Sequence, residues 1–215
     1  MNPRVLHVDP SSPREERLRT AAGVLEAGEV IALPTDTFYG LAVDAFAPDA
    51  VRRLNELKRK PADSPTLLLV SSPEQVDLVG RDLPESFHTL AAAFWPGPLT
   101  LVVSAAERLP REVSGGRGTV GVRVPGLGLP RRLAGTLGRP ITGVSANVHG
   151  QPPCRTPAEV ARALPEGIGM ILDGGPAPGG AASTVIDLSG NTPRIVRAGA
   201  VPITALAPFL PEIDG

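Results

Sequence analysis

The chain has 215 residues, a formal net charge of −1, 20% charged and 42% hydrophobic residues, and one cysteine. This length suffices for one large domain with a full hydrophobic core. The charge balance argues against a general nucleic-acid coat or a membrane-surface protein. The single cysteine, Cys154, excludes an intramolecular disulfide and cannot by itself build a zinc site.

The N-terminal segment predicts a strand, a helix and a second strand. Residues 4–8 are suited to a short strand, and Ser12 has the position of an N-cap for the helix that follows. Gly28 ends this helix. The second strand covers the apolar residues 30–33 and stops at Pro34, so we expect it to lie in the core of a sheet.

A second helix begins near Asp49 and is stopped by Pro61. It carries Lys58 and Lys60 at its C-terminal end, and these are the only two lysines in a chain whose other cations are arginines. Two neighbouring ammonium groups in an arginine-rich composition are the first indication of a functional site.

In the rest of the chain, strands and helices interleave, but several strands follow one another without a helix between them. Apolar or alternating runs predict strands over 66–70, 99–105, 119–125, 141–145, 168–172, 183–188 and 194–199. Cap signals and apolar spacing predict helices after Ser72, over 84–94, after Thr156 and after Pro202. We therefore expect a mixed α/β (α+β) fold, an open twisted mixed sheet with helices on its faces, as a single domain over residues 1–215.

Targeting and membrane signals do not occur in the sequence. The N-terminus has no apolar signal segment, and the longest charge-free span, 86–106, is interrupted by Pro96, Gly97 and Pro98. We expect a cytoplasmic protein without membrane association.

The common nucleotide and nucleophile motifs are missing. Neither GxxxxGK[ST] nor a GxGxxG after a strand occurs, and the glycine-rich stretch 174–180 is interpreted as a surface loop. Ser145 lacks the GxSxG context of a hydrolase, and His7, His88 and His149 show no metal-ligand spacing. The sequence therefore predicts no metal ligand and leaves any catalytic acid or base unknown.

Cations recur at the ends of predicted strands and helices, namely Lys58, Lys60, Arg123 and Arg197. Hydroxyl and amide side chains follow the same pattern, namely Thr35, Thr37, Ser145, Asn147 and Ser183. Together they describe an anion pocket, because phosphates need electrostatic neutralisation and a carboxylate suits a bidentate arginine. Composition and spacing thus predict binding of a small anionic substrate.

Eight segments add a family resemblance. In order from residue 34 to 199 the chain contains PTDTFYGLAVDAF, LKRKPADSPTLLLV, FWPGPLTLVV, VGVRVP, ITGVSANVHGQPP, ILDGG, STVIDL and RIVRAG. Together they closely resemble the YrdC-type threonylcarbamoyl-AMP synthases over nearly the whole chain, in the short form without an extra C-terminal domain. The resemblance implies a twisted sheet around a large concave positive cavity.

The resemblance also implies a reaction. Such enzymes condense L-threonine, bicarbonate (or CO2) and ATP into L-threonylcarbamoyladenylate and pyrophosphate, with Mg2+ assisting. The product serves N6-threonylcarbamoyladenosine modification of tRNA. It would be handed to the tRNA threonylcarbamoyl-transferase machinery, and direct RNA contact is a further option.

The resemblance also implies which residues of this chain bind each substrate, according to their positions in the matching segments. The resemblance assigns to the ATP side Lys58, Lys60, Ser64, Thr119, Ser145, Asn147, Pro153 and Arg197. It assigns to L-threonine Thr35, Thr37, Arg123, Gly143 and Ser183, with Arg123 as the carboxylate clamp.

Three positions depart from the family pattern. Lys60 stands where the family has an arginine, so the charge is kept but the bidentate fork is lost. Ser64 replaces a common asparagine, and Leu69 replaces a histidine that contacts threonine in many members.

Two alternatives stay open at this stage. The carbamoyl-transferring hydrogenase-maturation proteins contain a similar domain, but they are far longer and carry zinc fingers that one cysteine cannot build. A non-catalytic module that binds double-stranded RNA is the other, although the net charge of −1 and the single Tyr and Trp speak against it.

Overall fold

The computed structural model of the chain describes residues 3–61, 64–148 and 150–210. Its strands are β1 (Arg4–His7), β2 (Ile31–Pro34), β3 (Tyr39–Ala42), β4 (Leu68–Leu69), β5 (Leu99–Ser104), β6 (Thr119–Arg123), β7 (Ile141–Thr142), β8 (Val144–Ser145), β9 (Met170–Asp173), β10 (Thr184–Asp187) and β11 (Arg194–Arg197). Its α-helices are α1 (Glu15–Glu26), α2 (Pro48–Leu57), α3 (Glu85–Phe94), α4 (Arg111–Ser114), α5 (Gly128–Leu137), α6 (Pro157–Ala163) and α7 (Ile203–Leu206). Two 3-10 helices cover Pro73–Leu78 and Ala207–Phe209.

The strands form two mixed sheets, which we name sheet A and sheet B. Sheet A has the strand order β1-β9-β2-β3-β8, and sheet B has the order β11-β10-β5-β6-β4-β7. Both contain parallel and antiparallel pairs. The predicted mixed α/β class is confirmed, but the strands are divided between two sheets where one was expected. Strand periodicity reports which residues are buried and not which strands pair, so the sequence could not show this division.

Residues 141–145 join the two sheets. β7 pairs with β4 in sheet B, whereas β8 pairs with β3 in sheet A, so the predicted single strand changes sheets at Gly143. Thr142 reinforces the junction, since its hydroxyl donates to the carbonyl of Leu41 at 3.2 Å and accepts the N–H of Val43 at 3.0 Å. One continuous segment therefore sets the position of each sheet relative to the other.

Strand β2 is buried on both faces, which explains its uninterrupted apolar sequence. Ile31 and Leu33 pack in a core cluster with residues of helices α1 and α5, whereas Ala32 belongs to a larger cluster. That larger cluster includes Leu41 of sheet A and Val122 of sheet B. Burial on both faces removes the alternation of polar and apolar residues that marks a half-buried strand.

Of the predicted helix N-caps of α1 and α6, one is present in the structure and one is not. The predicted capping box before α6 is present, because Thr156 accepts the N–H of Glu159 and the Glu159 carboxylate accepts the N–H of Thr156. The predicted Ser12 cap of α1 is wrong, since the helix begins at Glu15 without a side-chain cap. Asp9 bonds the backbone N–H of Ser12 at 3.1 Å and thereby holds this segment in a turn.

Three elements, α4, α5 and β3, were not predicted, and one predicted strand is much shorter in the structure. Helix α5 contains two glycines and a proline, which masked its apolar stripe, and β3 directly follows the PTDT turn. The predicted strand 66–70 is reduced to the two paired residues of β4. Over the ranges that the structure describes, no helix is both long and apolar enough to span a bilayer.

We predict that Gly143→Ala destabilises the fold. A Cβ at residue 143 would lie 2.5 Å from Cγ of the buried Leu69, so the side chain or the strand must move. We expect a loss of about 1–3 kcal/mol in the free energy of unfolding, measured by urea denaturation. Gly135→Ala in α5 is the matched control, because its Cβ would meet only an ordinary contact at 3.6 Å. It should be neutral or stabilising by up to about 1 kcal/mol, and equal stability of both variants would contradict the prediction.

Candidate active site

A cavity of about 630 Å³ lies where the two sheets meet, with wall residues from β3 and β8 of sheet A and from β5, β6, β10 and β11 of sheet B. The wall contains every predicted site residue except Ser64, namely Thr35, Thr37, Lys58, Lys60, Thr119, Arg123, Gly143, Ser145, Asn147, Pro153, Ser183 and Arg197. Ser64 lies outside this lining, in a turn whose N–H bonds the carbonyl of Pro61 at 3.1 Å. The volume is typical of a small-molecule site.

Lys58 is the most strongly buried ammonium of the wall, with 4% of the residue exposed. It is the C-cap of α2, and its Nζ donates to the backbone carbonyl of Ser145 and to that of Asn147 at 2.6 Å. Burial, and secondarily the charge of Lys60, lower the pKa of Lys58 to about 8. The group therefore stays mainly charged at neutral pH and is held by acceptors that carry no formal charge.

Lys60 occupies the same side of the cavity. Its Nζ donates to the carbonyl of Pro65 at 2.8 Å and to the hydroxyl of Thr66 at 3.3 Å. Burial lowers the pKa of Lys60 to about 8. Two ammonium groups that have no carboxylate partner among the described residues are suited to bind an oxyanion such as a phosphate.

A second hydrogen-bonded pair in the wall consists of Arg197, the last residue of β11, and Ser183, the residue before β10. Nε and Nη2 of Arg197 donate to the carbonyl of Ser183 at 3.1 and 2.8 Å, and Nη2 also reaches its hydroxyl at 3.0 Å. The Ser183 hydroxyl lies 2.9 Å from that of Thr100, a wall residue that sequence reasoning missed. Burial and the charge of Arg123 lower the pKa of Arg197. Both guanidinium groups belong to residues that line the cavity.

The turn between β2 and β3 presents two threonine hydroxyls to the cavity. Oγ1 of Thr35 lies 3.1 Å from Oγ1 of Thr37 and donates to the carbonyl of Phe38 at 2.8 Å. The carbonyl of Thr37 accepts the N–H of Gly179 at 2.6 Å, so the glycine-rich loop supports this turn. Arg123, at the end of β6, faces the turn and pairs with Asp36, a partner that the sequence did not indicate.

Protein ligands for a metal ion are lacking in the parts of the chain that the structure describes. No group of three or more His, Cys, Asp or Glu side chains could hold an ion, and none of the wall residues is a carboxylate. His149 lies outside the described residues. The described side chains therefore do not fit a Mg2+ ion held by the protein alone.

Cys154 is buried beside the site, and its backbone carbonyl accepts the N–H of Tyr39 at 2.9 Å. Burial raises the pKa of the Cys154 thiol, which keeps it protonated. A protonated, buried thiol is a packing group and not a nucleophile. The chemistry of the cavity therefore consists of cations and hydroxyl or amide groups.

Comparison with known proteins shows which family this chain resembles. A family model for Sua5, YciO and YrdC, described as telomere recombination, matches residues 23–199. A threonylcarbamoyl-AMP synthase of Pyrococcus abyssi is 39% identical over 199 residues, which are 93% of this chain and 58% of that protein. One of Bacillus subtilis is 35% identical over 194 residues, which are 90% of this chain and 56% of that protein.

A solved structure agrees with the sequence matches. The crystal structure of P. abyssi Sua5 complexed with L-threonine superposes with a TM-score of 0.92 at 37% identity, covering 98% of this chain and 62% of that one. The chain thus spans somewhat under two thirds of the length of these relatives. Because the family model matches residues 23–199, a range that contains every residue of the cavity wall, the chain belongs to the Sua5/YciO/YrdC family.

Proposed function

We propose that the chain is an L-threonylcarbamoyladenylate synthase, a nucleotidyltransferase that condenses L-threonine, bicarbonate or CO2, and ATP. The observation that carries this proposal is one cavity in which two lysines and two arginines meet a pair of threonine hydroxyls. The names of the relatives, and the threonine complex of one of them, support the same reaction. These names favour the synthase over a double-stranded RNA-binding module or a carbamoyl-transfer enzyme.

The cavity provides two regions of different chemistry. Lys58, Lys60 and Arg197 supply positive charge for the triphosphate. The other wall residues assigned to this region are Thr119, Ser145, Asn147 and Pro153. Thr35, Thr37 and Ser183 offer hydroxyls to the amino acid, while Arg123 receives its carboxylate. Ser64 is left out of this assignment because it does not line the cavity.

Gly143 and Leu69 shape the amino-acid region. Leu69 fills the space where a side chain at residue 143 would lie, and both residues line the cavity. With leucine at residue 69, this part of the wall is apolar and suits the methyl group of threonine. The amino acid would then be fixed by hydroxyls and Arg123 on its polar side.

The reaction runs in two steps. The neutral amine of threonine adds to CO2 and releases one proton, which gives a carbamate. A carbamate oxygen then attacks the α-phosphorus of ATP, and the bond from this phosphorus to the bridging oxygen of the β-phosphate breaks to release pyrophosphate. Positioning and charge stabilisation account for catalysis, in keeping with the lack of an Asp, Glu or His side chain among the described wall residues.

We further propose that residues 1–215 act as a single domain in the cytoplasm. The adenylate would pass to the tRNA threonylcarbamoyl-transferase machinery, because a mixed carbamic–phosphoric anhydride is reactive and needs a prompt acceptor. We include in this proposal that the chain itself contacts RNA.

The proposed reaction predicts a strict substrate requirement. Pyrophosphate should form from ATP only when L-threonine and bicarbonate are both present, and mass spectrometry should detect threonylcarbamoyl-AMP. Reactions that lack one substrate are the controls. Pyrophosphate release without threonine, or none under any condition, would overturn the proposed function.

Removing a cation from the triphosphate region should reduce turnover. We expect Lys58→Ala and Arg197→Ala to lower kcat by about 100-fold or more, because each removes a preorganised positive group from the phosphates. Arg194→Ala is the matched control on the same strand, since Arg194 is exposed and pairs with Asp187 at 3.5 Å. If threonine-dependent conversion of ATP survives the first two changes intact, these assignments are wrong.

The lowered lysine pKa values predict a pH dependence of ATP binding. The ammonium forms bind the triphosphate, and the free enzyme loses these charges as the pH rises through about 8. The Kd for ATP should therefore increase between pH 7.5 and 9, by up to about tenfold for each lysine whose pKa rises well above 9 on binding.

Isothermal titration calorimetry over this pH range measures the effect. Lys60→Arg is the matched variant, because arginine keeps its charge at these pH values. It should lose the share of the pH dependence that Lys60 contributes. A constant Kd for the unmodified chain from pH 7.5 to 9 would contradict the prediction.

A further inference from the structure

Asp36 is a carboxylate in direct contact with the cationic wall of the cavity. It lies between Thr35 and Thr37, and its side chain is 18% exposed. Oδ1 accepts a hydrogen bond from Nη2 of Arg123, and Oδ2 accepts the backbone N–H of Gly126 at 3.0 Å. Both oxygens are therefore occupied within the protein, which leaves this group poorly placed to act on a substrate itself.

Arg123 is fixed along one edge of its guanidinium group. Its side chain is only 4% exposed, Nε donates to the carbonyl of Gly97 at 2.9 Å, and Nη2 donates to Asp36. Arginine has five N–H donors, so these two bonds leave Nη1 and one hydrogen of Nη2 without a partner among the described residues. That remaining edge matches the two oxygens of a carboxylate in the cavity that Arg123 lines.

The Asp36–Arg123 pair also connects the two sheets at the cavity. Asp36 follows β2 in sheet A, whereas Arg123 is the last residue of β6 in sheet B. The pair thus sets the distance between the turn that carries the threonine hydroxyls and the strand that carries the guanidinium group. Replacing Asp36 would therefore leave both the turn and the Arg123 side chain less firmly held.

We propose that Asp36 is a positioning residue that orients Arg123 toward the carboxylate of L-threonine and holds Arg123 in register with Thr35 and Thr37. The inference rests on the proposed function. Preorganisation of this kind lowers the entropy lost when the amino acid binds and places its amine for carbamate formation. The opposite effect, competition of Asp36 with the substrate carboxylate for Arg123, would make the free enzyme bind threonine less tightly than an Asp36 variant.

The variants Asp36→Asn and Asp36→Ala distinguish these two effects. We expect the Kd and KM for L-threonine to increase by about tenfold in Asp36→Asn and by more in Asp36→Ala, since a hydrogen bond between charged groups is lost. The KM for ATP should change by less than about twofold, because the lysines of the triphosphate region do not contact Asp36. Calorimetry gives the Kd, and the pyrophosphate assay gives both KM values.

Asp44→Asn is the matched control for a merely structural effect. Asp44 is also buried, pairs with Arg139 at 3.0 Å and accepts the N–H of Phe46 at 2.9 Å, but it does not line the cavity. We expect this variant to lower Tm while leaving the KM for threonine within about twofold of the unmodified value. An increase in the KM for threonine in the Asp36 variants, without a similar increase in Asp44→Asn, would show that Asp36 affects threonine binding and not only folding.

A double-mutant cycle tests whether Asp36 acts through Arg123. In the Arg123→Ala background, Asp36→Ala should change threonine affinity by less than about twofold. An unchanged or tighter threonine Kd in Asp36→Asn, or a full additive effect in the Arg123→Ala background, would overturn the positioning role while leaving the synthase proposal intact. If the unmodified chain neither binds threonine nor forms pyrophosphate, the proposed function fails, and this inference fails with it.

Discussion

The segment 141–145 is the connection on which the cavity depends, because it belongs to both sheets. Thr142 bonds to the backbone of Leu41 and Val43 in and after β3 while its strand pairs with β4 of the other sheet. Gly143 permits the change of sheet, since Leu69 occupies the volume that any Cβ would need. This junction therefore helps to hold the site residues of sheet A and those of sheet B around a common space.

The cations of the cavity are held mainly by neutral backbone acceptors. Lys58 binds the carbonyls of Ser145 and Asn147, and Arg197 binds that of Ser183. A carbonyl satisfies the hydrogen-bonding geometry of a buried cation without cancelling its charge. Burial lowers the pKa values of both lysines and of Arg197. Since these cations have no carboxylate partner among the described residues, their charge remains available for the proposed anionic substrate. Arg123 differs, because Asp36 balances part of its charge.

The support for the amino-acid region comes from residues far away in the sequence. The glycine-rich loop, expected to be a surface loop, donates the N–H of Gly179 to Thr37 and accepts the hydroxyl of Tyr39 at Gly175. Arg155 binds the same loop through the carbonyl of Pro178 at 2.9 Å. Since such a loop has no apolar periodicity, its supporting role depends on contacts that only the folded chain creates.

The sequence by itself determined the mixed α/β class and the family, because apolar periodicity, cap signals and ordered motifs are local properties. All site residues assigned from the resemblance except Ser64 line the cavity, but other wall residues such as Thr100 were not identified. Tertiary structure alone decided the division into two sheets, the brevity of β4 and the existence of α5, since strand pairing and packing override local propensity. The partnership of Asp36 with Arg123 was likewise hidden, because these residues are 87 positions apart in the chain and meet only where the two sheets converge.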